Sequence, residues 1–528
     1  MTTFPSPSFT PVAGAERLQA LDVLRGFALI GICVANVEFF NRSVVETGQG
    51  IPAGLSGLDW LAAWLVNYLV STKFWTIFSL LFGMGFAIMQ ERAKAAGRPF
   101  LPAFLRRIGV LLAFGLLHHC LLWNGDILIS YAFGAAMLVL TLFAGRGMLL
   151  AAAIVLSALA QLPSLSFAAW PIAMLLPAAL LSLYLRPGSG TVLLQLLTFV
   201  PGGLLLLIAF GNRDDLPLLA PAGLILLVLG GLVRFFPGPL GARPWRAGVM
   251  LILLIYGLVV MEGAMRHFLP VAPATATASI AQTGSADPQA NAPDQNDDDG
   301  AAYRRDLARS AEETTIFSKG SYAKAVALRT GQLGTRLKDE CAGAILLLGL
   351  FLTGIGLQRS GIVAQPAAHR TVLRRTALVG IPVGLGLGLL GALISTGRPL
   401  GVDDQGHDAA AGLILLGSLP SALGYMAAIL LMLHSHGAWA RVRLLSPFGQ
   451  MALSNYLSQS IVMTLLFYGY GLGLWGIGRA AQVGIALALC ALQIGFSHWW
   501  LARFRYGPVE WLWRALTYLA LPALRKAR

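Results

Sequence analysis

Charge and cysteine are what this chain has least of. Asp, Glu, Lys and Arg make up only 12% of its 528 residues, about half the share of an ordinary soluble domain. That shortage excludes a water-soluble globular fold. The 4 cysteines, Cys33, Cys120, Cys341 and Cys490, all fall inside apolar stretches. They read as small buried side chains, which excludes a disulfide framework and a thiolate metal site. No Gly-rich phosphate loop, zinc spacing or Ser-nucleophile elbow is present, and His434 and His436 form only a loose pair. No metal and no bound cofactor are expected. Residues 1–16, a polar tail, lack a basic n-region and a small-residue cleavage site. The first apolar block therefore reads as a retained helix rather than a removed signal.

What the chain does have is apolar length. Hydrophobic residues make up 56%, with a mean hydropathy of +0.71, in blocks of about 17 to 25 residues that can each cross a bilayer as a helix. The class is all-α, a polytopic integral membrane helical bundle of about 14 transmembrane helices. The net charge of +14 does not imply nucleic acid, because no basic patch with interleaved aromatics stands outside the apolar blocks. Basic residues gather instead in alternate short loops, at Arg92/Lys94/Arg98, Arg146, Arg234/Arg243/Arg246, Arg359/Arg370/Arg374/Arg375, Arg441/Arg443 and Arg503/Arg505. The turn at Asn212–Asp215 and the pair Asp403–Asp404 fall on the opposite side. The positive-inside rule then sets both termini in the cytoplasm.

The organisation follows the same blocks. Residues 17–146 form an N-terminal membrane bundle and 147–246 a run of hydrophobic helices with almost no polar residues. Residues 247–267 form one more span. Residues 268–340 form an extracytoplasmic loop, partly disordered, whose first part is too polar to bury a core. From about 301 it turns helical and amphipathic, so part of it packs back on the membrane domain. Residues 341–520 form a C-terminal membrane domain, and 521–528 a basic cytoplasmic tail.

Ionisable groups at membrane depth are costly and so mark candidate sites. In LRRIGVLLAFGLLHHCLLWNGDILISY, residues 105–131, Arg106 and Arg107 lead into an apolar run. His118 lies on the face of Arg107 roughly 16 Å further on. Trp123 and Asp126 follow, and an imidazole with an orienting carboxylate is the material of general-base catalysis. The competing reading is a histidine satisfied by a helix carbonyl; His119 points about 100° away. In the first block Asp22, Arg25 and Asn36 share a polar stripe, and a structural Asp22–Arg25 ion pair competes with a functional role. In MALSNYLSQS, residues 451–460, Asn455 and Gln459 are i,i+4 neighbours beside a Ser454/Ser458 stripe, suited to gluing helices or to lining a pore. In FRYGPVEWLWRALTY, residues 504–518, Gly507-Pro508 opens a helix where Glu510 can pair with Arg514.

Five ordered segments, LDVLRGFALIGICVANV, KFWTIFSLLFGMGF, GLLHHCLLWNGDILISYAFG, GQMALSNYLSQSIV and FRYGPVEWLWRALT, resemble the YeiB-like family of bacterial inner-membrane proteins. The resemblance covers roughly 17–146 and 247–520, leaving 147–246 as inserted helices for packing, dimerisation or lipid contact. It puts His118, not His119, at the family's histidine position. The family in turn resembles, distantly, the transmembrane acyltransferases, including the acyltransferase-3 enzymes and heparan-glucosaminide N-acetyltransferases. That resemblance implies acyl-CoA as a cytoplasmic cosubstrate and a hydroxyl or amine acceptor, a sugar or a lipid, on the other face. Arg106, Arg107, Arg374 and Arg375 would draw the donor's phosphates, and His118 would deprotonate the acceptor with Asp126 orienting it. Trp123, Asn455 and Gln459 would line the path. A permease for a small metabolite explains the many spans equally well, and a scaffold or sensor role stays open. The expected partners are the lipid bilayer, donor and acceptor, with a homo-oligomer left open.

Overall fold

Apolar blocks of this length leave each backbone amide without water, and a helix satisfies those amides within one segment. The computed structural model describes residues 19–526, apart from 44–46, 48–49, 53, 186–190, 212–222, 225, 232–233, 235–243, 269–297 and 399–406. The polar tail, the 212–215 turn, Arg186, Arg243, the low-complexity stretch up to 297 and Asp403–Asp404 therefore lie outside the described residues. The helices run in chain order as α1 (Gln19–Asn36), α2 (Gly57–Leu65), α3 (Lys73–Ala95), α4 (Phe100–Leu121) and α5 (Leu128–Phe143). Next come α6 (Arg146–Leu159), α7 (Ile172–Leu185), α8 (Thr191–Gly211) and α9 (Pro244–Phe268). Then follow α10 (Asp298–Lys319), α11 (Tyr322–Arg359), α12 (Arg370–Ile394) and α13 (His407–Leu433). The chain closes with α14 (Leu445–Gln450), α15 (Ala452–Phe467), α16 (Arg479–Arg503) and α17 (Pro508–Tyr518). A short parallel pairing of β1 (Ile51–Pro52) with β2 (Thr396–Arg398) is the sheet found among the described residues.

Among the described residues, 8 helices are long and apolar enough to cross a membrane, and shorter apolar helices accompany them. The chain is thus a multi-pass, all-α membrane protein. Its core lies where α1, α3, α5, α11, α13 and α15 meet, around fully buried Leu24, Ile77, Met84, Leu138, Phe351 and Phe467. By contrast α6 to α8 turn Ile154, Val192, Leu204 and Leu207 outward, as lipid-facing helices do.

Two elements depart from the sequence blocks. The apolar run at 447–471 is broken at Met451 into α14 and α15. The break lets α14 cross α1 with backbones almost touching. A Cβ on Gly26 would strike the Leu445 carbonyl, and one on Gly449 would strike the Asp22 carbonyl. The second departure is α11, which continues unbroken from Tyr322 to Arg359. Its membrane half packs on α3, and its other half lies against the hairpin between α4 and α5, with α10 beside it. Buried Glu313 of α10 accepts from Ser43 (2.9 Å) and from Gln332 of α11 (3.0 Å), fixing the pair to the bundle.

Candidate functional site

The site is built where α4 ends. Its terminal carbonyls lack helical partners, and Arg329 of α11, fully buried, supplies them. Arg329 donates to Cys120 O (3.1 Å), Leu121 O (3.1 Å) and Leu122 O (2.9 Å). Leu122 and Trp123 then return their own amides to the His118 carbonyl, each at 2.9 Å. That turn folds Asp126 back beneath His118. Gly115, one turn before His118, makes the space: a Cβ there would lie 2.9 Å from Asp126 Oδ1.

His118 and Asp126 are both buried. His118 Nδ1 lies 2.6 Å from Asp126 Oδ2 and His118 Nε2 lies 2.8 Å from Ser460 Oγ on α15. The other carboxylate oxygen of Asp126 accepts from Ile129 N at 2.7 Å, at the start of α5, where the helix dipole favours negative charge. A carboxylate on Nδ1 assigns the ring proton to that nitrogen, which leaves Nε2 as the basic atom facing the serine hydroxyl. Arg336 of α11 donates to Asp126 O (2.7 Å) and Ser130 Oγ (3.1 Å), and its ion pair with Glu340 (2.5 Å) keeps it there. His119 is the histidine tied to a carbonyl: its Nε2 donates to Arg329 O at 3.2 Å.

A cavity of about 350 Å³ approaches this cluster from the arginine end of α4. Its polar end is lined by Asp22, Arg25, Arg92, Arg107, Glu510 and Arg514, and its apolar walls by Leu29, Phe78, Phe82 and Leu111. It ends on Tyr131, Ile127, Leu128 and Tyr456. Tyr456 is the shared wall, because its ring centroid lies 5.2 Å from that of His118 and its hydroxyl accepts from Ile127 N at 3.3 Å. Past His118, Trp123 stacks on Phe40 at 4.0 Å between centroids. Among the described residues, that stack and α11 cover the far side.

The sequence candidates separate accordingly. Asp22 and Arg25 form the ion pair, at 2.7 Å, and also line the cavity. Arg107 lines it as well, with its guanidinium 4.1 Å from the Trp513 ring centroid. Arg106 turns instead to the Thr517 carbonyl, at 3.1 Å. Arg374 and Arg375 are exposed on α12 and are not among the lining residues, nor is half-buried Asn36. Asn455 and Gln459 lie on the α16 side. Asn455 Nδ2 donates to Phe448 O (3.0 Å) and Ser497 Oγ (3.1 Å), and Gln459 Nε2 to Gln493 Oε1 (2.9 Å). They glue two helices. Glu510 caps α15, accepting from Leu453 N (2.7 Å), Ser454 N (3.0 Å) and Ser454 Oγ (2.5 Å). Burial raises its carboxyl above the ordinary glutamate range, while those donors pull against the rise.

Sequence reading missed Ser460, Tyr456, Arg329 and Arg336. The first two had a signal. Tyr456 and Ser460 are the third i,i+4 stripe of MALSNYLSQS, beside the Ser454/Ser458 and Asn455/Gln459 stripes, and they are the one facing His118.

Three comparisons bear on descent. The family model for a protein of unknown function, DUF418, matches residues 357–520. An uncharacterized protein of Bacillus subtilis, YxaH, is 26% identical over 525 residues, 98% of each chain. An uncharacterized protein of Escherichia coli, YeiB, is 24% identical over 527 residues, 97% of this chain and 99% of the relative. An uncharacterized 39.9 kDa protein from an amylase 3' region of Bacillus acidopullulyticus is 40% identical over 122 residues, 23% of this chain and 33% of that one. No solved structure matches.

Proposed function

The chain belongs to the YeiB-like family of multi-pass membrane proteins, and from the site it carries we propose that it transfers an acyl group across the bilayer. The donor is an acyl-CoA on the cytoplasmic side of a bacterial inner membrane. The acceptor is a hydroxyl or amine of a sugar or lipid on the other side. The topology belongs to this reading: about 14 spans, with both termini and the arginine end of α4 in the cytoplasm.

One observation carries it. A cavity leads from Arg25, Arg92, Arg107 and Arg514 to Tyr456, the wall behind which His118 is held by Asp126. Guanidinium groups at the mouth match the diphosphate of a CoA donor. The apolar walls accept its acyl chain. Behind the Tyr456 wall His118 Nε2 is the basic atom that takes a proton from the attacking group, while Asp126 holds the ring in that tautomer. A permease that is not driven by protons would need neither a histidine aimed at a hydroxyl nor a carboxylate behind it.

The test is carried out in proteoliposomes holding the full chain. Labelled acetyl-CoA is supplied on one side, with glucosamine and methyl glucoside on the other as amine and hydroxyl acceptors. Covalently labelled acceptor is expected, and its loss in His118→Ala. Absence of transfer from the wild-type chain, or equal transfer by His118→Ala, removes the reading; uptake of an intact metabolite would point to the permease.

A further inference from the structure

We infer that Ser460 is the nucleophile of this site and carries the acyl group between donor and acceptor; this rests on the acyl-transfer reading above. A serine in a membrane helix ordinarily gives its proton to the carbonyl four residues earlier. Here that carbonyl, Tyr456 O, is 3.4 Å away, whereas His118 Nε2 is 2.8 Å away. The imidazole is therefore the better acceptor, and its other nitrogen is tied to Asp126 at 2.6 Å. Nucleophile, base and orienting carboxylate stand in hydrogen-bonded order, which is how such a trio is recognised on unrelated folds.

The cavity supplies the second reason. It ends at Tyr456 and Ile127, and past His118 the Trp123–Phe40 stack and α11 cover the far side. A donor entering from the arginine end and an acceptor arriving from the other end would not meet in this arrangement. An acyl group held by the protein removes that requirement. Ser460 is buried behind Tyr456 and does not line the cavity. The Tyr456 wall therefore has to open for the donor half and the Trp123–Phe40 side for the acceptor half, one side at a time.

The chemistry balances without an added reagent. Ser460 Oγ attacks the thioester carbonyl carbon, and its proton passes to His118 Nε2. The C–S bond breaks, and His118 returns that proton to the departing thiolate, leaving an oxygen ester on Ser460 and free CoA thiol. In the second half the acceptor O–H or N–H gives its proton to His118 and attacks the ester carbonyl. The C–Oγ bond breaks and the proton goes back to Ser460. Tyr456, one helical turn from Ser460, uses its hydroxyl as an acceptor toward Ile127 N, so its own proton can be offered to the carbonyl oxygen as charge develops there.

The first half-reaction needs no acceptor, which makes it the one to measure. The full chain in lipid nanodiscs is mixed with labelled acetyl-CoA, and released thiol is followed at short times. A burst of about one thiol per chain is expected, with the label on the peptide containing Ser460. Ser460→Ala should abolish burst and label while acetyl-CoA still binds. Ser460→Cys should restore a label that neutral hydroxylamine removes, as it removes thioesters but not oxygen esters; this variant decides the matter if Ser460→Ala does not fold. A label on His118, or an unchanged burst in Ser460→Ala, overturns the role of Ser460 and leaves acyl transfer standing. A wild-type chain that neither releases thiol nor labels an acceptor overturns both.

Discussion

His118 owes its orientation to neighbours on both sides of its ring, and each sets one property of the other nitrogen. Asp126 accepts a hydrogen bond from Nδ1–H, which keeps the ring's proton there and so leaves Nε2 free of one. Replacing Asp126 by Asn would offer an amide N–H to Nδ1 and move the ring proton to Nε2, where it faces Ser460 and cannot accept. Asp126→Asn is therefore expected to slow acyl transfer by a factor on the order of 10² to 10⁴. Acetyl-CoA binding should change little, because Asp126 does not line the cavity. Initial rates and a binding titration on the same preparation check this, and an unchanged rate would mean that the carboxylate is structural. The pair itself was legible in the sequence, because a histidine and an aspartate stand out at the end of an apolar run. Ser460 was not. It lies 342 positions from His118, and a serine is too cheap in a membrane helix to draw notice. Arg374 and Arg375 misled for the opposite reason: arginines that end a span read alike whether they face a cavity or the lipid headgroups.

At the scale of elements, the first half of α11, with α10 packed beside it, holds the 118–126 turn in place. The helical character of this stretch was visible in its amphipathic pattern, but its docking partner was not. Nothing local in Arg329 or Arg336 says that one will cap α4 and the other will hold the Asp126 carbonyl. Arg329→Met keeps the bulk and removes three charge-assisted hydrogen bonds to the carbonyls that end α4, of which Leu121 O keeps the Tyr322 hydroxyl (3.0 Å). A loss of about 2 to 4 kcal/mol in local stability is expected. Hydrogen exchange in the 118–126 turn should become faster while exchange in α12 and α13 stays the same. Uniform acceleration across the bundle would instead mean that α10 and α11 support the whole fold. The 451–460 segment teaches a related lesson. Its three stripes look equivalent in sequence, yet α16 takes Asn455, Gln459 and Ser458, Glu510 of α17 takes Ser454, and His118 meets Tyr456 and Ser460; only the packing of neighbours assigns them.

For the whole molecule the net charge of +14 acts mainly through where it is concentrated. Most of the basic residues mark the ends of spans, and four of them, Arg25, Arg92, Arg107 and Arg514, line one cavity. The helices α6 to α8 contribute none of its lining and face outward with bare aliphatic side chains. Charge focused in a low-dielectric cleft attracts an anionic substrate more strongly than the same charge spread over a surface. Arg92→Gln and Arg514→Gln are each expected to raise KM for acetyl-CoA by about tenfold, the loss of roughly 1.4 kcal/mol of phosphate contact. The maximal rate should hold, because neither residue touches the His118 cluster. The same substitutions should leave the reaction of acetyl-pantetheine unchanged, since that thioester carries no phosphate. Raising the salt concentration should weaken the CoA donor and spare the pantetheine one. If both thioesters respond equally, the arginines shape the cavity instead of reading phosphate, and the donor would be sought among thioesters without a nucleotide.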